Sequence, residues 1–429
     1  ASDVYKRQSK YVSQNILGMI GFSCYVLADS YFISIAKGAD GLTALNLVMP
    51  LYSIIFSIGE MIGVGSAIRY AISKIKKDAD ADDYFWNALI WCILSSMLFV
   101  FAGIFFSADI MRVLGADEHI VAVGNNYTKI FMCFAPMFMC NYVTNAFVRN
   151  DGAPGIAMSA TLFSSLFNIV FDYILMFPMN LGMEGAALAT ALSPIIGMGI
   201  CSIHFFSKKS SVRLVVCKPS VRKLVAGSQL GVSAFVGEMS SAVITLAFNF
   251  VILKLAGNVG VAAYGVVANI AIVTTAVFNG VAQGSQPLIS SCFGRGDKDG
   301  CTQLKRMGYT TAFVLAAVMY SILFIFAGQF VAVFNSEGSE MLRLYATEGV
   351  KLYFIGIFFA GINIVGGGAF SATEDAFKAA VVSVARGFVL ILGAVFVMSA
   401  LFGMTGVWLA YAVAEGITTF IMLVMVLRV

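Results

Sequence analysis

Residues 166–177 read LFNIVFDYILMF, an apolar run interrupted only by one amide, Asn168, and one carboxylate, Asp172. The two polar residues are four apart, so on a helix they share a face one turn apart. An ionisable group inside a membrane helix is costly, and such residues mark function rather than filler. The reading of this stretch decides the fold, because it makes sense only if the segment crosses a membrane.

The rest of the chain is of the same kind. Of 429 residues, 59% are hydrophobic and 12% charged, with a mean hydropathy of +0.89. A soluble domain carries about 25% charged residues, so this chain has half the usual charge and reads as an integral membrane protein. A span needs about 20 mostly apolar residues. Such segments fall near 12–36, 43–70, 85–107, 120–147, 155–178 and 185–207, and then near 224–256, 261–292, 307–332, 345–371, 379–401 and 404–427. The period-2 segments of a β-barrel are not seen. We therefore expect an all-α membrane protein of about twelve transmembrane helices in two six-helix bundles. The expected division is a cytoplasmic tail at 1–11, bundles at 12–207 and 224–429, and a cytoplasmic linker at 208–223.

Lys and Arg set the orientation. With the N-terminus inside, the inner loops hold nineteen basic residues: Lys6, Arg7, Lys10, Lys74, Lys76, Lys77, Arg149, six between Lys208 and Lys223, Arg295, Lys298, Lys305, Arg306, Lys378 and Arg428. The outer loops hold four: Lys37, Arg112, Lys254 and Arg343. Both termini are thus expected in the cytoplasm of a cell (inner) membrane. No signal-peptide pattern is readable in ASDVYKRQSK, so the first apolar segment is expected to stay as a span. The eight cysteines are scattered singly and the two histidines lie far apart, a spacing that fits neither a disulfide framework nor a metal site. No cofactor is expected. The basic loops read as topology signals and contacts to anionic lipid, not as a nucleic-acid surface.

An internal repeat supports two bundles. Shifted by 219 positions, Gly38, Gly41, Ala44, Val48, Gly65, Ser66, Asp78 and Asp80 meet Gly257, Gly260, Ala263, Val267, Gly284, Ser285, Asp297 and Asp299. GMEGAALATA (182–191) meets GMTGVWLAYA (403–412) at a shift of 221. Six spans per repeat leave the halves with the same orientation, related by an axis along the membrane normal.

Several stretches together are similar to one family. LADSYFIS (27–34), NIVFDYILMF (168–177), GMEGAALAT (182–190), GEMSSAVITLAFNFVI (237–252) and NGVAQGSQPLISSCFGRGD (279–297), in this order and on these spans, resemble the multidrug and toxic compound extrusion (MATE) transporters. The resemblance covers essentially the whole chain. It implies two bundles around a V-shaped cleft and Na⁺- or H⁺-driven export of organic, often cationic, compounds by a protein we expect to be a monomer. It also implies a cation site made by Asp29 on the first helix, Asn168 and Asp172 on the fifth, and Thr190 on the sixth. A second branch of the family uses carboxylates on the seventh and tenth helices. Glu238 matches the seventh, but YFIGIFFAGINIVGGGAFSA (353–372) has no carboxylate, a departure that leaves a second cation site open.

Depth supports the first site independently. At about 1.5 Å per residue, Asp29 and Asp172 lie roughly 24–25 Å from the inner ends of their spans. Thr190 lies about 8 Å below the outer end of its span, and Asn168 one turn below Asp172. In a core about 30 Å thick the four share one level. Carboxylate, amide and hydroxyl oxygens are hard ligands suited to Na⁺, and two buried carboxyls can instead share a proton.

Other polar residues within spans are candidates for substrate contact or gating. Glu238 is placed to meet a cationic substrate or Arg386. Glu60 and Arg386 lie in the inner half, as a gate pair between bundles or a static one, with Glu415 as another partner for Arg386. Gln283 and Gln286 flank Pro287, where a kink is expected with an amide satisfying the freed carbonyl. No Walker motif or soluble catalytic domain is present, so ATP-driven transport and enzymatic activity are not expected. A lipid-linked oligosaccharide flippase, or a non-transporting receptor, is the alternative reading.

Overall fold

The computed structural model describes residues 2–335 and 338–427; Arg428, counted above among the inner basic residues, lies outside them. Every regular element among the described residues is helical. The first half supplies α1 (Asp3–Lys37), α2 (Leu47–Ile75), α3 (Asp83–Val113), α4, α5 (Pro154–Met176) and α6 (Met183–Phe205). Helix α4 has two arms, Glu118–Cys133 and Ala135–Asn150, bent by 46°. The bend precedes Pro136, whose ring cannot continue a helix across the preceding turn. The second half supplies α7 (Val221–Gly257), α8 (Val259–Gly294), α9 (Lys298–Ile325) and α10 (Glu340–Ala372). The run Ala376–Leu427 breaks at Gly403 into α11 (376–402) and α12 (404–427). Among the described residues these make twelve long helices, the shortest of 23 residues, enough for about 34 Å at helical rise, with a short helix, Ala327–Phe334, after α9.

The repeat seen in sequence has a backbone counterpart. Gly182, which precedes α6, has φ 59° and ψ −128°. Gly403, which precedes α12, has φ 63° and ψ −138°. Both conformations are closed to residues with a Cβ, so each glycine marks the same corner in its half. Each bundle has its own apolar core, one around Tyr52, Phe131 and Phe147, the other around Phe248, Phe354 and Trp408. All eight cysteines are free.

Residues 2–11 are not a tail. They continue α1 as helix, with Gln8, Tyr11 and Val12 buried and Lys6, Arg7 and Lys10 exposed, the i, i+3, i+4 spacing of a one-sided helix. Gln8 donates from Nε2 to Ser285 Oγ at 3.2 Å and to the Leu304 carbonyl at 3.1 Å. Polar composition concealed this, because one buried amide serves both bundles. The linker, irregular over 210–220, is laid along α3. Trp86 and Trp91 donate from Nε1 to the carbonyls of Cys217 and Ser220, at 2.8 and 3.2 Å, and Ser220 N donates to Asn87 Oδ1 at 2.7 Å. At the start of α7, Lys223 lies 2.6 Å from Asp80, a hydrogen bond that holds the Asp80 carboxyl below the ordinary carboxylate range.

The bundles are joined at the end that carries the basic loops. A methyl group on Gly65 would collide with the Gly227 carbonyl, and one on Gly231 with the Met61 carbonyl, so α2 and α7 touch backbone to backbone. Gly280 and Gly284 of α8 press in the same way on Ile16 and Val12 of α1. Arg69 adds polar ties, donating from Nε to the Ala226 carbonyl at 2.9 Å and lying 3.4 Å from Glu374. Around Pro287 the backbone angles stay helical. The only non-helical residue recorded between Val221 and Gly294 is Gly257, and Gln283 reaches across to Glu60 rather than back to its own helix.

This junction predicts that Gly65→Val separates α2 from α7. Spin labels at the exposed positions Lys77 and Lys298 should move apart by several ångströms in the variant, as read by pulsed electron resonance. An unchanged distance would show that the close approach does not hold the bundles together.

Candidate functional site

Helix α5 buries one stripe, Ala157, Ala160, Ser165, Asn168, Asp172 and Met176, at helical spacing. Its opposite face, with Phe163, Leu166, Val170 and Tyr173, is exposed, as a lipid-facing surface would be. The polar residues therefore face the bundle interior. There Asn168 and Asp172 are fully buried, Thr190 of α6 is 3% exposed and Asp29 of α1 is 7% exposed. The fold thus brings together all four residues of the expected set. The Asp29 and Asp172 carboxyls face each other within hydrogen-bonding reach. Asn168 turns its Nδ2 toward Ser193 Oγ at 3.5 Å, and Ser193 donates to the Thr190 carbonyl at 2.9 Å, which leaves the amide oxygen free.

Asp29 Oδ1, Asn168 Oδ1, both carboxylate oxygens of Asp172 and Thr190 Oγ1 are all buried without a hydrogen-bond partner. Buried polar atoms are paired in the great majority of cases, so five orphans in one place demand a reason. Four of the five are pure acceptors. The chemistry that satisfies them is a proton or a hard cation. Asp29 and Thr190 border a hollow shared with Tyr25, Tyr52, Tyr127 and Glu238. The Tyr52 and Tyr127 hydroxyls bond each other at 2.8 Å.

The second repeat lacks this set. At the shifts of 219 and 221, Asp29, Asn168, Asp172 and Thr190 correspond to Phe248, Val389, Gly393 and Tyr411. In its place is a satisfied pair: Arg386 Nε lies 3.0 Å from Glu415 Oε1, and Asn363 donates to Glu415 Oε2 at 2.8 Å. A π-turn over Ala385–Val389 carries Arg386, and such single turns are frequent at functional positions. Of the partners expected for Arg386, the structure chooses Glu415. The gate pair with Glu60 and the pairing with Glu238 are not formed, because depth along a helix says nothing about the direction a side chain faces.

Glu60 and Glu238 instead meet each other across the two bundles, and Gln283 donates to Glu60 at 3.4 Å. All three line a hollow between the first bundle and helices α7 and α8, and Glu238 borders both hollows. Gln286 is buried beside Gly368 and borders neither. Sequence reasoning missed Asn363, although it is the one amide in the apolar run 353–372. It also placed Arg149 in a loop, whereas its side chain is buried in the cavity wall.

The profile of the MatE family matches residues 15–174 and again 234–397, two blocks that start 219 residues apart, as the repeat does. The multidrug export protein MepA of Staphylococcus aureus (strain MRSA252) is 27% identical over 428 residues, covering 97% of this chain and 92% of that protein. MepA of Staphylococcus saprophyticus is 26% identical with the same coverage. Among solved structures, an outward-facing multidrug resistance MATE family transporter of the MOP superfamily superposes with a TM-score of 0.92 at 20% identity, over 99% of this chain and 96% of that one. A MOP superfamily transporter from Pyrococcus furiosus gives 0.89 at 20% identity, over 97% and 95%. Two family blocks in tandem and twelve helices in two bundles lead to one conclusion: this chain is a multi-pass membrane protein of the MATE family.

Proposed function

We propose that the protein is a secondary active antiporter that exports organic, mostly cationic, compounds in exchange for Na⁺ or H⁺. The observation that carries this reading is the set of five partnerless oxygens at Asp29, Asn168, Asp172 and Thr190. Family membership and the multidrug export relatives support the substrate class. The basic end is read as cytoplasmic, with both termini there, so the bundles as described are closed inward.

The coupling follows from charge. Two facing buried carboxylates repel, and burying charge costs several kcal/mol. A shared proton or a bound Na⁺ removes charge and draws the two helices onto it. Shifting a two-state balance from 1:99 to 99:1 takes about 5.5 kcal/mol of differential binding. One ion in such a site supplies energy on that scale, so loading and release at opposite faces can drive alternation. Glu238, which borders both hollows, is placed to receive a cationic substrate while the coupling ion holds the Asp pair. Substrate and ion then report to each other across the junction of the two bundles.

In vesicles carrying the purified protein, imposing Na⁺ and pH gradients separately should show efflux of a cationic dye driven by one of them; dependence on neither would remove antiport. Asp172→Asn should reduce gradient-driven efflux to the passive background while unfolding in detergent stays within a few degrees of wild type. Full export by this variant would refute the coupling role. Glu238→Gln should weaken binding of a cationic dye about tenfold, the scale of one charge-assisted contact, and leave a neutral analogue unchanged. Equal losses for both would exclude a direct charge contact.

A further inference from the structure

One face of α2 meets the second bundle through Met61, Gly65 and Arg69, each four residues from the next. The first two touch α7 backbone to backbone. Arg69, nearest the basic end, is the one that carries charge. Its Nε donates to the Ala226 carbonyl of α7 at 2.9 Å, and its Nη1 lies 3.4 Å from Oε1 of Glu374, in the turn between α10 and α11. Two ion pairs among the described residues join the bundles, this one and Asp80 with Lys223. Lys223 stands where the linker enters α7, so there the chain itself keeps the bundles together. Arg69 and Glu374 are joined by nothing but their side chains.

The backbone at Glu374 is unusual. Its φ is 61°, in the left-handed region that residues with a Cβ seldom adopt. The equivalent turn of the first repeat holds the residue the backbone prefers. There Ala153 N bonds to the Val148 carbonyl, as Asp375 N bonds to the Phe370 carbonyl, and the residue before Ala153 is Gly152 at φ 84°. Two other non-glycine residues share this region, Lys77 and Asn180, and neither enters an ion pair. A glutamate in the place of a glycine strains the turn; what it adds is a carboxylate that reaches the other bundle. The turn is also pinned, because Asp375 Oδ1 accepts from Lys378 N at 3.3 Å and caps α11.

Exposure decides which pairs can open. The side chains of Arg69 and Glu374 are 19% and 27% exposed, so water takes up both charges once they part, and such a pair is weak and reversible. Arg386 and Glu415, at 17% and 3%, would leave a carboxylate stranded in the interior. We propose that Arg69 and Glu374 are the latch of the inner face. Paired, they hold the bundles shut at the basic end; they part when the cleft opens on that side. The assignment rests on the transport reading and deepens it, naming the pair that sets the balance between the two faces.

The test reads distance rather than transport. Spin labels at Ala79 and Asp299, exposed on inner loops of the two bundles, are measured by pulsed electron resonance in detergent without any gradient. Glu374→Gly should raise the ratio of long to short distances about threefold to fivefold, while the melting temperature holds or rises because glycine suits the left-handed turn. Arg69→Gln should raise the ratio further, since the bond to Ala226 is lost as well, and adding Glu374→Gln to it should change nothing more. Raising salt from about 0.1 to about 1 M should move wild type in the same direction and Glu374→Gly less than half as much. Wild-type ratios in both single variants, or effects that add in the double one, would overturn the latch. So would a lower melting temperature in Glu374→Gly with distances unchanged, the mark of a merely structural role. Should Arg69→Gln fail to fold, Glu374→Gly and the salt titration decide by the same criteria. Loss of ion-coupled efflux in vesicles would leave these distances as they are, whereas unmoved distances would leave efflux standing.

Discussion

Helices immersed in hydrocarbon gain nothing by hiding apolar surface from one another, so close packing and polar contacts must hold them. In this protein that constraint is met at one end. Backbone contacts at Gly65, Gly231, Gly280 and Gly284, with the bonds made by Gln8 and Arg69, join the bundles at the basic end. Two bundles held at one end are free to part at the other. The hollow beside Asp29 and the one beside Glu60 lie where that joint gives way to open space. The same few contacts that give the molecule its shape are those an alternating transporter must break.

The two repeats have spent their polar residues differently. In the second, Arg386, Glu415 and Asn363 satisfy one another; removing one partner of such a buried pair costs about 3–5 kcal/mol, so this cluster stiffens the bundle. In the first, the oxygens of Asp29, Asn168, Asp172 and Thr190 go unmatched, which leaves that bundle sensitive to whatever fills them. A satisfied half and an unsatisfied half, related by duplication, provide a rigid frame and a responsive element from one ancestral plan. Glu60 and Glu238 sit between them, one on each bundle, so charge placed there acts on the joint itself.

Much of the site was legible before the fold. Asn168 and Asp172 stood out because an amide and an acid one turn apart are rare in an apolar run; the family resemblance supplied Asp29 and Thr190, and the rise per residue put them at the same level. Other readings failed for a shared reason. Residues 2–11 looked like a tail because their charges outnumber the single buried face of Gln8, Tyr11 and Val12. Arg149 looked like a loop residue because it lies at the end of its span. Arg386 had three acids within reach by depth, and Gln283, expected to satisfy a carbonyl freed by Pro287, reaches Glu60 instead.

The amino-acid order alone determined the helix count, the duplication, the membrane class and the depth of each polar residue. Long apolar runs have one way to satisfy their backbone in lipid, and depth follows from a constant rise. Only the tertiary structure decided partners. It set Arg386 on Glu415, turned Glu60 toward Glu238, and buried Arg149 in a cavity wall. A partner depends on the azimuth of each side chain around its helix and on which helices are neighbours, and both are set by packing between segments far apart in the chain.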